Sequence, residues 1–369
     1  MLRVQKNIIL KDLEKKMVLL VGPRQAGKTH LAKDIARSFK NSVYLNYDNL
    51  QDREIISDQA WLDHTDLLVL DELHKMPRWK NYLKGLFDTK PNTMRVLVTG
   101  SARLDIYGDS LAGRYHRHRL LPLSLAELAQ AGEPPDLEKL MTRSGFPEPY
   151  FENSSIEAAR WRAQYTNSLL STDIFDVEVI HNLKGMRLVF DLLRHRVGSP
   201  VSYQSLAEDA GVSPMTIKKY IHILEALFVV FIIRPYARNV ARSLLKEPKV
   251  YFFDTALVAN EGARFENAVA LGLLKSLYAR ADNRAEDCAL HYLRTKDGLE
   301  VDFAVIKDGE VEVMIEVTLS AQPIGKSLYS FHQKYNYPAI QLAQHIKRER
   351  QEKGIKRLKG HSYLQSLYL

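Results

Sequence analysis

The segment Gly22-Pro23-Arg24-Gln25-Ala26-Gly27-Lys28-Thr29 has the residue types and spacing of a loop that wraps phosphate with backbone N–H groups. Glycine allows the close approach and the positive φ that such a loop needs. Lys28 is expected to reach the β- and γ-phosphates of ATP and Thr29 to sit on Mg²⁺, with His30 following at the loop's exit. A second group is Asp71-Glu72, at the end of the apolar run Leu67–Leu70. Asp71 suits the Mg²⁺ shell, and Glu72 suits the base that polarises the attacking water. In the third, Val96-Leu97-Val98-Thr99-Gly100-Ser101-Ala102, either Thr99 or Ser101 lies where a small hydroxyl could orient water beside the γ-phosphate. Ser101 is taken as the catalytic candidate, although small polar residues also cap helices. In the fourth, Leu111-Ala112-Gly113-Arg114-Tyr115, Arg114 is the first choice for stabilising transition-state charge, with Arg24 as competitor.

These residues need elements that bring them to one place. Met17–Val21, Val43–Tyr47, Leu67–Leu70 and Val96–Thr99 are short apolar runs separated by helix-like stretches, and Leu120–Leu123 reads as a fifth run. Near-continuous apolar strands with helical crossovers predict a parallel α/β sheet covered on both faces. Such sheets gather ligands at the carboxyl ends of their strands, where all four groups fall.

Turn-rich segments at Gly132–Pro135 and Gly145–Pro149 predict a boundary, giving domains over 1–135, 136–260 and 261–369. In the second, Tyr203–Ala210, a Gly211-Val212 turn, Ser213 as N-cap and Pro214 at the first helical position predict a helix-turn-helix ending at Ala226. Thr216, Lys218, Lys219 and His222 would face outward, and Phe228–Ile233 with Val250–Phe253 could pair as a wing. Lysine and threonine there suit phosphate and base contacts, yet winged helices also serve as domain adaptors. The third domain carries a helix with Glu266, then strand-like runs with Asp302 and with Glu316-Val317-Thr318.

Composition is that of a globular chain, 46% hydrophobic and 26% charged over 369 residues. A net charge of +8 favours polyanionic partners, and a basic segment runs from His345 to His361, read either as a nucleic-acid contact or as a solvated helix face and tail. Met1–Lys16 lacks the apolar core of a secretory signal, and the longest apolar run, Leu224–Ile233, is too short to span a bilayer. One cysteine, Cys288, excludes an internal disulfide and suits a reducing cytoplasm.

The four N-terminal groups in this order, with one strand between the loop and the acid pair, resemble the AAA-type branch of P-loop ATPases. More narrowly, Leu70–Lys75, Thr99–Leu104, Ser110–Arg114 with Leu121–Ser124, Ser144–Glu148, Leu206–Glu208 and Lys246–Asp254 resemble a large prokaryotic family. Its members join an AAA-type ATPase domain to a C-terminal domain of unknown function. The resemblance implies ATP binding, and the leading expectation is an Mg²⁺-dependent ATPase, a homo-oligomer, that couples nucleotide state to DNA or protein engagement by its C-terminal domains. The C-terminal acids are similar to the PD-(D/E)XK nuclease pattern, in which carboxylates hold Mg²⁺ and a lysine stabilises charge. Here Glu266, Asp302 and Glu316 match, but Thr318 stands where the lysine belongs, with Lys326 or Lys296 as distant substitutes. That departure leaves two alternatives, a metal-dependent nuclease regulated by ATP or a degenerate fold kept for binding. A low-turnover ATP-dependent switch is a further reading.

Overall fold

The computed structural model describes residues 3–100, 111–174, 182–237 and 246–369, in two compact units, 1–121 and 122–369.

The first unit holds five strands: β1 (Met17–Val21), β2 (Ser42–Asn46), β3 (Leu67–Asp71), β4 (Arg95–Gly100) and β5 (Tyr115–Arg119). They lie in the order β2-β3-β4-β1-β5, and every pair is parallel. The central strands carry near-continuous apolar runs because both faces are covered. Leu19, Val21, Leu68, Leu70, Val96 and Val98 pack with Ile56 of α3 (Leu50–Asp58) and with Leu83 and Leu86 of α4 (Trp79–Thr89). The alternate residues Val18, Leu20, Leu67, Val69 and Leu97 pack with Ile9 and Leu13 of α1 (Lys6–Leu13) and with Leu31, Ala32 and Ile35 of α2 (Lys28–Ala36).

The fifth strand departs from expectation. It is Tyr115-His116-Arg117-His118-Arg119, not Leu120–Leu123. An edge strand has a neighbour on one side only and tolerates polar side chains, so hydrophobicity pointed to the wrong residues. Leu120 and Leu121 are buried directly after it.

The second unit begins with short helices and continues through Ser155–Ser168 and Leu183–Arg194 to the helix pair Tyr203–Ala210 and Pro214–Ala226. Ser213 caps the second of the pair by accepting from the Thr216 amide at 3.1 Å. Its remaining strands are β6 (Val230–Pro235), β7 (Lys249–Phe252), β8 (Cys288–Arg294), β9 (Glu300–Lys307), β10 (Glu310–Ser320), β11 (Ala339–His345), β12 (Arg350–Glu352) and β13 (Ile355–Lys359). These form one eight-stranded sheet, ordered β12-β13-β11-β10-β9-β8-β6-β7.

Two expectations change here. Strands β6 and β7 do pair antiparallel, but β6 also pairs parallel with β8, so they extend the sheet and are not a free wing. The basic stretch 345–361 is neither tail nor helix face: β12 and β13 carry it along the sheet edge, where Arg357 is buried and donates to Gln341 at 2.7 Å. The 24-residue helix Glu261–Arg284 is fixed to β7 by buried Asn267. The Asn267 side chain accepts from the Phe252 amide at 2.7 Å and donates to the Phe252 carbonyl at 2.8 Å.

Candidate functional site

The loop between β1 and α2 has the backbone its glycines predict. Gly22 has φ +151°, and a Cβ there would lie 2.2 Å from the Leu120 carbonyl oxygen. Gly27, at φ 94°, starts α2 in a left-handed conformation. The first helical residues, Lys28 and Thr29, therefore stand at a helix N-terminus, where free amides and the helix dipole favour an anion.

Lys28 is buried and donates from Nζ to the carbonyls of Gly22 at 3.0 Å and Pro23 at 2.8 Å. Burial lowers its pKa to about 8, against the raising influence of Glu72 and Asp71. Thr29 Oγ1 donates to Asp71 Oδ2 at 2.8 Å, joining the loop to the end of β3. Asp71 is buried and takes further donors: the Tyr44 hydroxyl at 2.5 Å, the Thr99 hydroxyl, and the Glu72 amide at 3.0 Å. Tyr44 is raised above the ordinary tyrosine range by burial, then by its bond to Asp71. Threonine hydroxyl and aspartate are hard oxygen ligands of the kind Mg²⁺ takes.

Glu72 adopts a left-handed backbone at φ 55°, a strained geometry for a residue with a Cβ. Burial raises its pKa, opposed by Lys28 and reinforced by Asp71. Its Oε2 is buried without a hydrogen-bond donor among the described residues, and His74 Nε2 stands 3.6 Å away. A buried carboxylate oxygen without a hydrogen-bond donor, beside a phosphate-type loop, is the arrangement a base for water would need. His30, Gln25 and Thr29 are exposed, while Pro23 and Ala26 are buried in the loop's base.

Ser101 lies outside the described residues. Thr99, the other hydroxyl weighed with it, is buried on Asp71. Arg114 makes a two-pronged pair with Asp88 of α4, Nε–Oδ1 2.9 Å and Nη2–Oδ2 3.1 Å. Arg24 is close enough for its charge to bear on both Lys28 and Glu72. Sequence reasoning missed Tyr44, because a tyrosine inside a strand reads as core.

In the second unit, Glu266, Asp302 and Glu316 come to one end of the sheet. Asp302 raises the pKa of both glutamates, after burial, which is the larger cause. Thr318, in the lysine position, turns its hydroxyl onto the Ser320 carbonyl at 2.9 Å. Among the described residues the lysine paired with Glu266 and Asp302 is neither Lys326 nor Lys296 but Lys249 of β7, which sequence reasoning did not connect with these acids. On the helix Pro214–Ala226, Lys218, Lys219 and His222 are exposed while Ile217, Ile221 and Leu224 are buried. Thr216, expected to face outward, is half-buried.

Residues 14–129 match a family model described as AAA domain. Residues 134–265 and 261–364 match two described as Domain of unknown function, DUF8612 and DUF4143. Uncharacterised proteins of Mycobacterium tuberculosis and Mycobacterium bovis are each 29% identical over 247 residues, 66% of this chain and 55% of theirs. The chain thus spans about half the length of these relatives. An uncharacterised protein of Methanocaldococcus jannaschii is 22% identical over 384 residues, covering 85% of this chain and 78% of its own length. Among solved structures, a Walker-type ATPase of Pyrococcus abyssi aligns over 69% of this chain and 93% of its own at 12% identity, TM-score 0.42. A RuvB variant of Thermotoga maritima aligns over 61% and 87% at 18% identity, TM-score 0.32. With scores of that size, the assignment rests on the domain matches.

Proposed function

Because the chain joins an AAA-type P-loop ATPase domain to a DUF4143 domain, we propose that it binds Mg·ATP at 22–29 and hydrolyses it with Glu72 as base. The observation that carries this is the convergence of Lys28, Thr29, Asp71 and Glu72 at the carboxyl ends of β1 and β3. Thr29 and Asp71 would hold Mg²⁺, which supplies charge neutralisation at the transferring phosphate. Lys28 exchanges its two loop carbonyls for phosphate oxygens, a charge-assisted contact stronger than the one it leaves. Tyr44 and Thr99 hold the Asp71 carboxylate in one orientation. Glu72, carrying an oxygen without a donor, accepts the proton of the attacking water.

An arginine completes charge stabilisation at the γ-phosphate. Arg114, half-buried and braced by Asp88, is the first choice, serving from a neighbouring copy in a homo-oligomer, and Arg24, within the loop, is its competitor. The nucleotide state is coupled to DNA or protein engagement by the second unit, a reading supported by exposed Lys218 and Lys219 and by the basic edge strands. With one cysteine, the chain suits the reducing cytoplasm. Among the described residues no helix is long and apolar enough to cross a membrane.

The test is phosphate release by the purified protein with Mg²⁺ and ATP, with and without DNA. Turnover that is absent in Lys28→Ala supports the site, and stimulation by DNA supports the coupling. Equal turnover in Lys28→Ala would overturn the assignment.

A further inference from the structure

Lys249 is a fully buried lysine at the start of β7, and its surroundings are acidic. Its Nζ lies 2.8 Å from Glu300 Oε1, 3.6 Å from Asp302 Oδ1 and 3.8 Å from Glu266 Oε1. An isolated buried ammonium would lose its proton, but these three carboxylates raise its pKa in spite of burial. The Tyr292 ring, 5.3 Å away, gives the cation a further favourable face. Asn267 locks the helix that carries Glu266 onto the strand that carries Lys249, so the pairing is built into the fold.

Donors from the chain also engage most of the oxygens of these acids. Glu266 Oε1 accepts from the Tyr251 hydroxyl at 2.7 Å, and its Oε2 abuts Gly198, where a Cβ would stand 2.6 Å from it. Asp302 Oδ2 accepts from the Val317 amide at 2.8 Å, and Glu300 Oε2 accepts from Arg294 at 3.3 Å. Glu316 is drawn aside: its Oε2 accepts from Gln341 at 3.1 Å and from the Gly325 amide at 3.3 Å, while its Oε1 is pressed against Gly325. A divalent ion needs several carboxylate oxygens free to converge on one point. Among the described residues no three acid, histidine or cysteine side chains do so.

We propose that Lys249 is the resident cation of this centre, its ammonium standing among Glu266, Glu300 and Asp302 in place of a divalent metal. The second unit then keeps the carboxylates of a hydrolytic site while using them as an internal staple between β7, β9 and the helix Glu261–Arg284. A lysine that is completely buried cannot touch a phosphodiester, so its role is structural. The centre is a latent metal site, closed by a side chain.

The test is Mn²⁺ uptake by the full chain without nucleotide, read from the free-ion paramagnetic resonance signal. Wild type and Asp302→Asn are expected to take up the same amount. Lys249→Met, shown folded by circular dichroism, is expected to gain one Mn²⁺ per chain, and adding Asp302→Asn to that variant is expected to remove it. A folded Lys249→Met that gains no Mn²⁺ overturns the proposal. So does a wild type that binds one Mn²⁺ more than Asp302→Asn. This last comparison needs no change at Lys249 and decides the matter even where Lys249→Met does not fold. None of these outcomes depends on ATP hydrolysis.

Discussion

Replacing Glu72 with glutamine is expected to move turnover and stability in opposite directions. The substitution keeps size and backbone geometry, including the left-handed φ of 55°, and removes only the capacity to accept a proton. A positioned general base contributes roughly 10²–10⁴ in rate, or about 2.7–5.5 kcal/mol of barrier. ATP turnover should fall by that factor, while ATP affinity stays within a few-fold because Lys28 and the loop amides remain. Stability runs the other way. Glu72 has a folded-state pKa above its unfolded value, so the folded state binds more protons between the two. Stability therefore declines as pH rises through that window, and at neutral pH the buried carboxylate is a net liability. Glutamine carries no such charge and removes this pH-dependent loss. Chemical denaturation of nucleotide-free protein at pH 5 and at pH 8 would show it: the variant should gain relative to wild type at the higher pH. Turnover within tenfold of wild type would refute the role of the base. A variant that is less stable at pH 8, with unchanged behaviour at pH 5, would refute the electrostatic reasoning.

Three other outcomes follow from the geometry. Gly22→Ala places a Cβ 2.2 Å from a backbone oxygen at φ +151°, and this is expected to lower the melting temperature and to weaken ATP binding, seen by calorimetry with and without nucleotide. Asn267→Leu leaves the Phe252 amide and carbonyl without partners in a buried site, at about 1–3 kcal/mol each, measured by urea denaturation. Arg114→Ala breaks only an exposed pair with Asp88 and should leave the melting curve unchanged. If Arg114 acts in a neighbouring copy, mixing this variant with wild type should reduce phosphate release more than in proportion; if Arg24 acts instead, only Arg24→Ala reduces it.

How much was legible from residues alone depended on which physical signal each element carries. The central strands of the first sheet are buried on both faces and read as unbroken apolar runs, so β1, β3 and β4 were placed to within a residue. The loop was legible because glycine and Lys28-Thr29 have few other uses at that spacing. Strand β5 was misplaced because an edge strand of histidine and arginine has no apolar signature. Tyr44 was missed because nothing local shows that a strand tyrosine will meet an aspartate of the next strand. Lys249 was missed for a related reason. It lies 53 residues before Asp302 by number, and only the closure of β6 and β7 onto β8 brings it there.

The chain holds two carboxylate centres that look alike in sequence and differ in what their oxygens face. At Asp71-Glu72 the donors are neutral hydroxyls and an amide, and one buried oxygen of Glu72 has no donor. Lys28 and Arg24 offset part of the Glu72 charge, but the hydrogen bonds to Asp71 come from neutral groups, which leaves its carboxylate able to hold an arriving cation. At Glu266, Glu300 and Asp302 an ammonium and a guanidinium from the chain itself already supply that compensation. A metal entering there would have to displace a buried lysine and leave it without its partners, at several kcal/mol for the exposed imbalance. The same acid types therefore specify a cation-ready site in one unit and a closed one in the other. The deciding residue is Lys249 on β7, not Thr318 on β10.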